Sequence, residues 1–397
     1  MEDDTKENRN GASITESGKR TFTDSYKEHF LLRNCLLNMI KTRFMKILYF
    51  GPISKKGQAS IGGYEAANRK NIDGLLKRGI KVVEFPNPVI NRQWGNLGKI
   101  AYVKLFLLPL NLWRYRNEKD VMLHITPLYG NLLGPALFTV CVAKKLGIPV
   151  LVDIRAGSLI YYYQTKGERY QRQMRGMLNR ADVLTVEGSA YIQQIKSIIG
   201  VDKPIYYFPN LANVSNLPII NKPMDKLNIL YFGRLTKAKG LDIVIDTIKM
   251  LDDRFKLYVA GTFGRDYNEG MLDDDKIVYL GFLNSSELQQ VLADMHFFIF
   301  PTKHIGEGQS NSLIEAMSAG LIPVVSAQGF NEEVTGNHGV VIPLDGTAID
   351  YKNAILRLVS GDMVKMSLAC QNHIYEYHNA DVEIAKLITI YKSLLCQ

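Results

Sequence analysis

The chain has 397 residues, of which 46% are apolar and 22% charged, so general disorder is excluded and there is material for two domains with separate cores. The net charge is +9, and the most apolar run, Leu105 to Leu112, is interrupted by Pro109 and is too short for a membrane span. The cysteines are too far apart for a zinc motif or a disulfide framework, which favours a reducing, cytoplasmic location; they are Cys35, Cys141, Cys370 and Cys396.

The charge is distributed unevenly along the chain. Residues 44–215 carry 24 Lys and Arg against 10 Asp and Glu, a net charge of +14, whereas residues 216–397 carry 16 against 22, a net charge of −6. A basic first half indicates contact with nucleic acid or an anionic membrane, unless the charge serves only solubility. Because no nucleic-acid-binding module is recognisable, we expect no nucleic-acid partner and favour peripheral contact with an anionic membrane.

The chain begins with a polar segment and continues with alternating strands and helices. Residues 1–43 are predicted to form a flexible N-terminal tail and lead-in without a secretory signal. Six short β-branched or aromatic runs follow in residues 44–215, alternating with helical patterns: MKILYFG, KVVEF, VMLHIT, IPVLVDIR, VLTVEG and IYYFPN. This alternation predicts a doubly wound parallel sheet.

A second set of six runs predicts a second domain of the same kind. The boundary is expected between Leu211 and Lys226, where Asn and Pro cluster, which gives domains of residues 44–215 and 216–375. Residues 376–397 are predicted to form a C-terminal helix that packs back on the first domain. The runs of the second domain are NILYFGR, FKLYVAG, IVYLGF, FFIFPT, IPVVSA and GVVIP.

The first candidate site lies at Gly62 and Gly63, after the strand MKILYF and at the start of a helix. Adjacent glycines at a helix N-terminus let backbone N–H groups approach a phosphate, although such glycines equally often serve only a turn. The spacing is not GxGxxG, so a dinucleotide fold is not indicated.

The second candidate site is the loop YFGRLTKAKG, in which a strand ends at Gly233. Arg234 and Lys239 follow before the next helix. Two cations at a strand–loop–helix junction suit a diphosphate, because Arg offers a bidentate fork and Lys a point charge. The alternative is a solvated basic loop.

The third candidate site is KHIGEGQSNSLIEAMSAG, after the strand FFIFPT. Glu307 lies in a glycine-rich loop and is well placed to hold sugar hydroxyls, opposite the two cations. The segment that offers helix-end N–H groups to phosphate comprises Gln309, Ser310, Asn311 and Ser312. Glu315 fits a capping box that begins at Ser312, so a purely structural role in the helix is a strong alternative for this residue.

The order of these motifs resembles glycosyltransferase family 4. The motifs are GGY, GRLTKAKG, VAGTFG, YLGFLNSSEL, FPT, the Glu307/Glu315 pair and GVVIPLDG, and together they cover about Lys46 to Gly346. The C-terminal half resembles the family closely and the N-terminal half loosely. The resemblance implies the α/β GT-B architecture, in which two doubly wound Rossmann-like domains face each other across a cleft. It also implies a nucleoside diphosphate sugar as donor, transfer with retention, and neither a cofactor nor a metal.

The resemblance also implies residue roles. Arg234 and Lys239 would grip the diphosphate, with Gly62 and Gly63 approaching the phosphates from the first domain. Glu307 would contact the donor sugar and act with the two cations as the catalytic set. Glu315 would hold the ribose, and the turn at Gly281, Phe282 and Leu283 would lie near the base.

The sequence departs from the family pattern at two loops. After Glu307 it reads GQSNS where many members have a Gly-Phe-Gly run, which predicts a more polar donor pocket. Members often place a histidine in the loop that here reads DIRAGS, so Asp153 or Arg155 takes that contact or the contact is missing. His124 is expected to be a packed core residue rather than a replacement.

A basic stripe is the remaining candidate for contact with the acceptor. Arg169, Arg172 and Arg175 recur every third residue in a helical segment, which predicts a loose basic face. The alternative is an ordinary solvated face.

These observations predict a retaining glycosyltransferase that extends a glycan or lipid-linked oligosaccharide in surface polysaccharide biosynthesis. The expected location is the cytoplasm, at the inner face of the membrane. The alternatives are another GT-B enzyme, such as a nucleotide-sugar epimerase or a glycogen-synthase-like polymerase, and an inactivated transferase that binds carbohydrate.

Overall fold

The computed structural model describes residues 45–55, 62–88, 96–212 and 225–396, without the side chains of residues 96–99. Within these ranges the chain forms two six-stranded sheets, and all twelve strands predicted from the sequence are confirmed. Every recorded strand pairing is parallel. The predicted tail of residues 1–43 and the centre of the predicted boundary, residues 213–224, lie outside the described residues.

The first domain has the strand order β2-β1-β3-β4-β5-β6. Its strands are β1 (Lys46–Gly51), β2 (Lys81–Pro86), β3 (Val121–Ile125), β4 (Val150–Ile154), β5 (Val183–Val186) and β6 (Ile205–Tyr207). Its helices are α1 (Gly63–Lys77), α2 (Asn96–Leu107), α3 (Leu133–Lys145), α4 (Leu159–Thr165), α5 (Glu168–Arg180) and α6 (Ala190–Gln194), and a 3₁₀ helix (Leu108–Tyr115) follows α2.

The second domain has the strand order β12-β11-β10-β7-β8-β9. Its strands are β7 (Leu227–Phe232), β8 (Phe255–Ala260), β9 (Ile277–Gly281), β10 (Phe297–Phe300), β11 (Ile322–Ser326) and β12 (Val340–Ile342). Its helices are α7 (Leu241–Met250), α8 (Ser285–Ala293), α9 (Asn311–Ser318), α10 (Asn331–Thr335) and α11 (Ala348–Val359), followed by α12 (Met363–Tyr377) and α13 (Ala380–Leu395).

The central strands are buried on both faces, which explains their uninterrupted apolar runs. All four residues of β10, Phe297–Phe300, are buried, as are all five of β3, Val121–Ile125. The strand order reverses between β1 and β3 in one sheet and between β7 and β10 in the other. In open parallel sheets ligands bind at such switch points, beyond the carboxyl ends of the strands. The loops that follow β7 and β10 carry the second and third candidate sites.

The last helix of the chain packs on the first domain. In α13, Ile384, Leu387 and Tyr391 are buried in the same cluster as residues of β1 and β3. Asp381, at the start of α13, forms an ion pair of 3.0 Å with Arg78 of the first domain. The polypeptide therefore passes between the domains twice, once after Ala212 and once at residues 378–379.

The apolar side chains of the segment from Lys99 to Arg116 are divided between the core and the surface. Leu105 and Leu112 are buried in the first domain. Five apolar side chains of α2 and the 3₁₀ helix are instead between 50% and 58% exposed: Ile100, Val103, Leu107, Leu110 and Trp113. They share one face because α-helical neighbours recur at three and four residues and 3₁₀ neighbours at three. No helix of the described residues has the length and apolar character needed to cross a membrane.

Candidate active site

The loop after β7 presents two cations at the switch point of the second sheet. Gly233 ends the strand with a φ of 144°, and Arg234 is exposed beside it. Lys239 ends a short 3₁₀ helix (Lys237–Lys239). The next residue, Gly240, has a φ of 76° and lies against the carbonyl of Pro301, where a Cβ atom would come within 3.0 Å of the carbonyl oxygen. Glycine at this position therefore lets the cationic loop lie directly against the end of β10.

Glu307 lies opposite these cations, in the loop after β10. Its carboxylate forms an ion pair with Lys239 and accepts a hydrogen bond of 3.1 Å from Thr302 Oγ1. Burial and the charges of Lys239 and Arg234 lower the pKa of His304, whereas Glu307 raises it. All three residues of the predicted catalytic set thus influence the charge of the same group, the imidazole of His304.

The helix that follows is capped by a different residue from the one expected. Helix α9 begins at Asn311, and the side chain of Ser310 accepts a hydrogen bond of 3.4 Å from the N–H of Leu313. The expected capping box between Ser312 and Glu315 is wrong, because the cap lies two residues earlier. Glu315 instead forms an ion pair of 2.7 Å with Lys70 on α1, whose Nζ also donates to the carbonyl of Leu211 at 3.2 Å.

The glutamine–asparagine part of this loop binds the first domain. Asn210, after β6, donates through its N–H to Gln309 Oε1 and through Nδ2 to the Gln309 carbonyl, both at 2.8 Å. Gln309 Nε2 donates to Tyr207 at 2.9 Å. Asn311 donates to the carbonyl of Gly63 at 3.1 Å, so the predicted glycine pair at the start of α1 faces the loop between β10 and α9. We call this loop, residues 301–310, the donor loop, after its predicted role. Ser312 lies on the same first turn of α9 and is partly exposed.

Two glycines allow the first domain to approach residues 307–309 of the second domain closely. A Cβ on Gly157, in the loop after β4, would lie within 3.0 Å of the carbonyl oxygen of Glu307. A Cβ on Gly308 would lie within 3.0 Å of Oε1 of Glu187, which directly follows β5. We call these contacts between the loops after β4 and β5 and residues 307–309 the domain interface.

Asp153 and Arg155, the candidates for the missing histidine contact, belong to a buried network. Both carboxylate oxygens of Asp153 accept hydrogen bonds within the first domain, at 2.7 Å from Arg155 Nε and 2.8 Å from Thr185 Oγ1. Burial raises the pKa of Asp153, but Arg155 and His124 more than offset this and bring it to about 2. Asp153 therefore orients the guanidinium of Arg155, whose Nη1 donates to Asn210 Oδ1 next to the domain interface.

His124 is fully buried, as expected of a core residue. Its Nδ1 lies 2.6 Å from the hydroxyl of Tyr391 and its Nε2 lies 3.3 Å from Asp153 Oδ2. Burial lowers its pKa, which favours the neutral ring.

The remaining candidates lie on exposed surface. Arg169 and Arg172 are exposed on α5, where Arg172 forms an ion pair of 3.5 Å with Glu168. Arg175 is not part of a free stripe, because its Nε donates to the carbonyl of Ile199 at 2.8 Å. In the turn after β9, Phe282 is exposed and Leu283 partly buried.

Sequence reasoning missed two residues of this region, Lys70 and Glu187. Lys70 gives no local signal, because its partner Glu315 is 245 positions away. Glu187 does follow a buried strand directly, at the edge of the sheet where ligands bind, and that position could have drawn attention to it. No group of three His, Cys, Asp or Glu residues suited to a metal ion occurs in the described part of the chain.

The fold is that of the GT-B glycosyltransferases. Sucrose-phosphate synthase from Thermosynechococcus elongatus superimposes with a TM-score of 0.67 at 16% identity, over 89% of this chain and 99% of that one. Anabaena HepE in complex with UDP gives a TM-score of 0.64 at 16% identity, over 88% of this chain and 100% of that one.

Within this fold, residues 226–361 match the family described as Glycosyl transferases group 1. The amylovoran biosynthesis glycosyltransferase AmsK of Erwinia amylovora is 26% identical over 45% of this chain, and the match spans 48% of AmsK, about half its length. An uncharacterised 41.2 kDa protein from the cps region of Klebsiella pneumoniae is 22% identical over 67% of this chain and 74% of its own length. These similarities support a transferase.

Proposed function

We propose that this protein is a retaining glycosyltransferase of family 4 that moves a sugar from a nucleoside diphosphate sugar to a glycan or lipid-linked oligosaccharide. The observation that carries the proposal is the ion pair of Lys239 with Glu307 at the switch point of the second sheet, with Arg234 exposed on the same loop as Lys239. The similarity to AmsK, which is named for amylovoran biosynthesis, favours a role in surface polysaccharide synthesis. HepE, which shares the fold, binds UDP, and this favours a nucleotide-linked donor.

The two cations bind the donor diphosphate in this proposal. Negative charge grows on the bridging phosphate oxygen as the sugar departs, and cations fixed beside it stabilise that charge without rearranging. Arg234 is free to move toward the phosphates, since it is exposed. Lys239 is already fixed by Glu307, so a bound diphosphate shares this cation with the carboxylate.

Other parts of the donor are held by the loop and helix after β10. The N–H groups of Ser310, Asn311 and Ser312 at the start of α9 offer a positive helix end to the phosphates. Glu307 accepts hydrogen bonds from sugar hydroxyls. Glu315 accepts hydrogen bonds from the ribose, which requires it to share or release Lys70. Phe282 and Leu283 flank the base.

The reaction is a substitution at the anomeric carbon with retention. The bond from that carbon to the diphosphate oxygen breaks, and a bond to the acceptor oxygen forms on the same face. The hydroxyl proton of the acceptor passes to the departing phosphate oxygen, so the mechanism needs no protein base. The role of the protein is then to orient the two substrates and to stabilise charge.

The acceptor is proposed to meet the first domain. Arg155 faces the domain interface, and Arg169 and Arg172 are exposed on α5 of the same domain. These residues are proposed to contact the acceptor, with Asp153 acting through Arg155.

We further propose that the first domain docks on an anionic membrane, where a lipid-linked acceptor presents its sugar. The exposed apolar face of α2 and the 3₁₀ helix includes Leu107, Leu110 and Trp113, and Arg116 lies over the ring of Trp113 with its guanidinium 3.5 Å from the ring centroid. Exposed cations on the same segment, Lys104 and Arg114, complement anionic headgroups. A second copy of this chain is a poorer occupant of that face, because like charges would meet.

This docking would hold the protein at the cytoplasmic side of the membrane, consistent with the cysteine spacing that favours a reducing compartment. The attraction is worth about 1 kcal/mol for each basic residue near the surface, so a few of the cations in the basic first half are sufficient.

The direct test offers UDP-, GDP- and ADP-sugars to the purified protein. One donor should raise the melting temperature, because a ligand bound only by the native state stabilises it, and that donor should be slowly hydrolysed or transferred. Release of an isomerised sugar without an acceptor would indicate an epimerase, and tight donor binding without turnover on any acceptor would indicate a binding protein. Either result, or no binding of any donor, would overturn the proposal.

A further inference from the structure

Glu187 is a buried carboxyl at the domain interface to which the proposed mechanism assigns no role. It is 2% exposed and directly follows β5, whose carboxyl end points toward the donor loop. Its Oε1 lies against Gly308, the residue after Glu307, so closely that a Cβ there would come within 3.0 Å. Glu187 is therefore next to the residue proposed to hold the donor sugar.

The hydrogen bonding of Glu187 is incomplete. The backbone amide of Gln309 forms a hydrogen bond with the carboxyl group, and Asn210 Nδ2 donates to its Oε2 over a long distance of 3.4 Å, but Oε1 has no hydrogen-bond partner within the described ranges. Arg155, which binds the same Asn210 through Nη1, likewise has a buried Nη2 without a partner among those residues. Buried polar groups are almost always satisfied, so a pair of unsatisfied atoms joined through one asparagine indicates a binding function.

The chemistry of the pair indicates the kind of ligand. A hydroxyl group both donates and accepts, so neighbouring hydroxyls can satisfy a carboxyl and a guanidinium together. We propose that Glu187 and Arg155 form a subsite for sugar hydroxyls on the first-domain side of the interface, opposite Glu307. This inference rests on the proposed function and extends it to a residue that neither sequence motifs nor the donor loop contain.

The surroundings of Glu187 keep it uncharged at neutral pH. It faces Arg155 and Asp153 from β4 and the loop after it, Tyr191 from α6, Tyr64 from α1, and Glu307 with the amide of Gln309 from the second domain. Burial, Asp153 and Glu307 raise the pKa of Glu187 to about 8, although Arg155 and the Gln309 amide act in the opposite direction. The protonated carboxyl can donate to a hydroxyl oxygen, and the subsite should favour neutral sugars.

The kinetic test compares Glu187→Ala and Glu187→Gln with the wild type at saturating and limiting levels of each substrate. Glu187→Ala should raise the KM of one substrate on the order of 10-fold, and the substrate affected shows whether the hydroxyls belong to the donor sugar or the acceptor. Glu187→Gln keeps a neutral hydrogen-bonding group, so at pH 7 its KM for that substrate should lie closer to the wild-type value than that of Glu187→Ala. The activity of Glu187→Gln should also persist above pH 8, where that of the wild type falls.

Glu333→Gln is the matched control, because Glu333 on α10 also contacts the loop after β5 but its carboxylate is satisfied by the N–H and hydroxyl of Ser189, both at 2.9 Å. It should leave the KM values and the alkaline limb unchanged. Unaltered KM values in Glu187→Ala, or the same alkaline limb in the wild type and Glu187→Gln, would overturn the subsite.

A binding measurement separates failure of the subsite from failure of the proposed function. The melting shift given by a nucleotide sugar, minus that given by the free nucleoside diphosphate, reports contacts to the sugar without turnover. The acceptor glycan is tested alone in the same way. Glu187→Ala should reduce the sugar-dependent shift for one of these ligands and leave the nucleotide shift intact. If neither shift depends on Glu187, the subsite is wrong, whether or not the wild type transfers sugar.

Discussion

Lys70 on the first domain and Glu315 on the second are joined by an ion pair of 2.7 Å. The pair connects α1 to α9, and α9 is the helix whose N-terminus is proposed to face the donor phosphates. Glu315 therefore has a tertiary role in addition to its proposed contact with ribose. Removing the Glu315 side chain should therefore weaken the association of the two domains and should leave the N-terminal cap of α9 intact.

The capping assignment is tested by exchanging one residue at a time. Ser310→Ala removes the side chain that accepts from Leu313 and should destabilise the protein by about 0.5–2 kcal/mol. Ser312→Ala, which removes no cap, should have little effect on the free energy of unfolding measured in urea. A larger loss for Ser312→Ala than for Ser310→Ala would contradict the observed cap.

The ion pair itself is tested by a double-mutant cycle of Lys70→Met and Glu315→Gln. Because both side chains are partly exposed, the coupling free energy should be modest, about 0.2–1 kcal/mol, and should shrink in high salt. Additive effects of the two substitutions would show that the pair contributes nothing.

The two cations should act on turnover more than on stability. Arg234→Ala and Lys239→Ala are each expected to lower kcat by a factor on the order of 100 to 1,000, as for loss of one donor that stabilises a developing negative charge. Lys237→Ala is the matched control, since Lys237 is an exposed lysine of the same loop. Steady-state kinetics with the preferred donor measures the effect, and equal rates in all three variants would contradict the assignment.

Gly157 tests the approach of the two domains. Gly157→Ala places a methyl group where the carbonyl of Glu307 lies, so the loops must separate and the substrates lose their alignment. A misplacement of about 1 Å can reduce the rate about 100-fold, and kcat/KM should fall accordingly while the melting temperature changes little. Gly167→Ala has open space around the new methyl group and should be nearly silent. Similar kcat/KM values for both variants would show that this close contact is dispensable.

The protonation of Glu187 should be visible in the pH dependence of stability. Its pKa of about 8 in the folded state lies above the usual value of a glutamate, about 4.3, in the unfolded state. Between these values only the folded state holds the proton, so the stability of the wild type should fall as pH rises from about 4.5 to 8, by at most about 1.4 kcal/mol per pH unit. Glu187→Gln has no proton to lose at this position, so its free energy of unfolding should rise relative to that of the wild type as the pH is raised from about 4.5 to 8. The free energy of unfolding is measured in urea at several pH values. The same change with pH in the wild type and in Glu187→Gln would contradict this prediction.

The membrane face can be tested without disturbing the proposed active site. Leu107→Ser combined with Leu110→Ser should reduce flotation with anionic vesicles, because the exposed apolar area that enters the interface is lost. Arg114→Glu with Arg116→Glu should weaken binding most at low salt. Leu76→Ser, an exposed leucine on α1, is the control. Equal flotation with neutral and anionic vesicles would exclude electrostatic docking and leave the transferase proposal unaffected.

The strands could be predicted because parallel strands buried on both faces read as short apolar runs ending in Gly or Pro. FFIF before Pro301 and LNILYF before Gly233 are examples, and each was followed by the loop that carries the candidate site. The apolar segment of residues 99–116 shows what a sequence pattern leaves open, because Leu105 and Leu112 are buried whereas Leu107 and Leu110 are exposed. An amphipathic period identifies a face, whereas its burial depends on the elements packed around it.

The site was less accessible to sequence reasoning because its contacts are long-range. Ser310 and Ser312 both precede residues that fit a helix start, and only the backbone geometry selects Ser310. Lys70 meets α9 and Glu187 meets the donor loop through tertiary packing. The position of Glu187 after a strand marks it as a candidate, but the local sequence of neither residue identifies a partner more than a hundred positions away. The loop after β4 contacts Glu307 through Gly157, but its Asp153 is fully buried and hydrogen-bonded to Arg155.

Residues 210–212, where the chain leaves the first domain, are hydrogen-bonded to residues 378–379, where it returns. Ala212 forms a parallel bridge with Asn379, its N–H donates to the carbonyl of His378 at 2.8 Å, and His378 Nδ1 lies 2.9 Å from the carbonyl of Asn210. These bonds tie the two passages together at one place beside the first domain. A separation of the domains that keeps them intact would be a rotation about that place, so that the Lys70–Glu315 pair and the contact between Gly157 and Glu307 would open as parts of one motion.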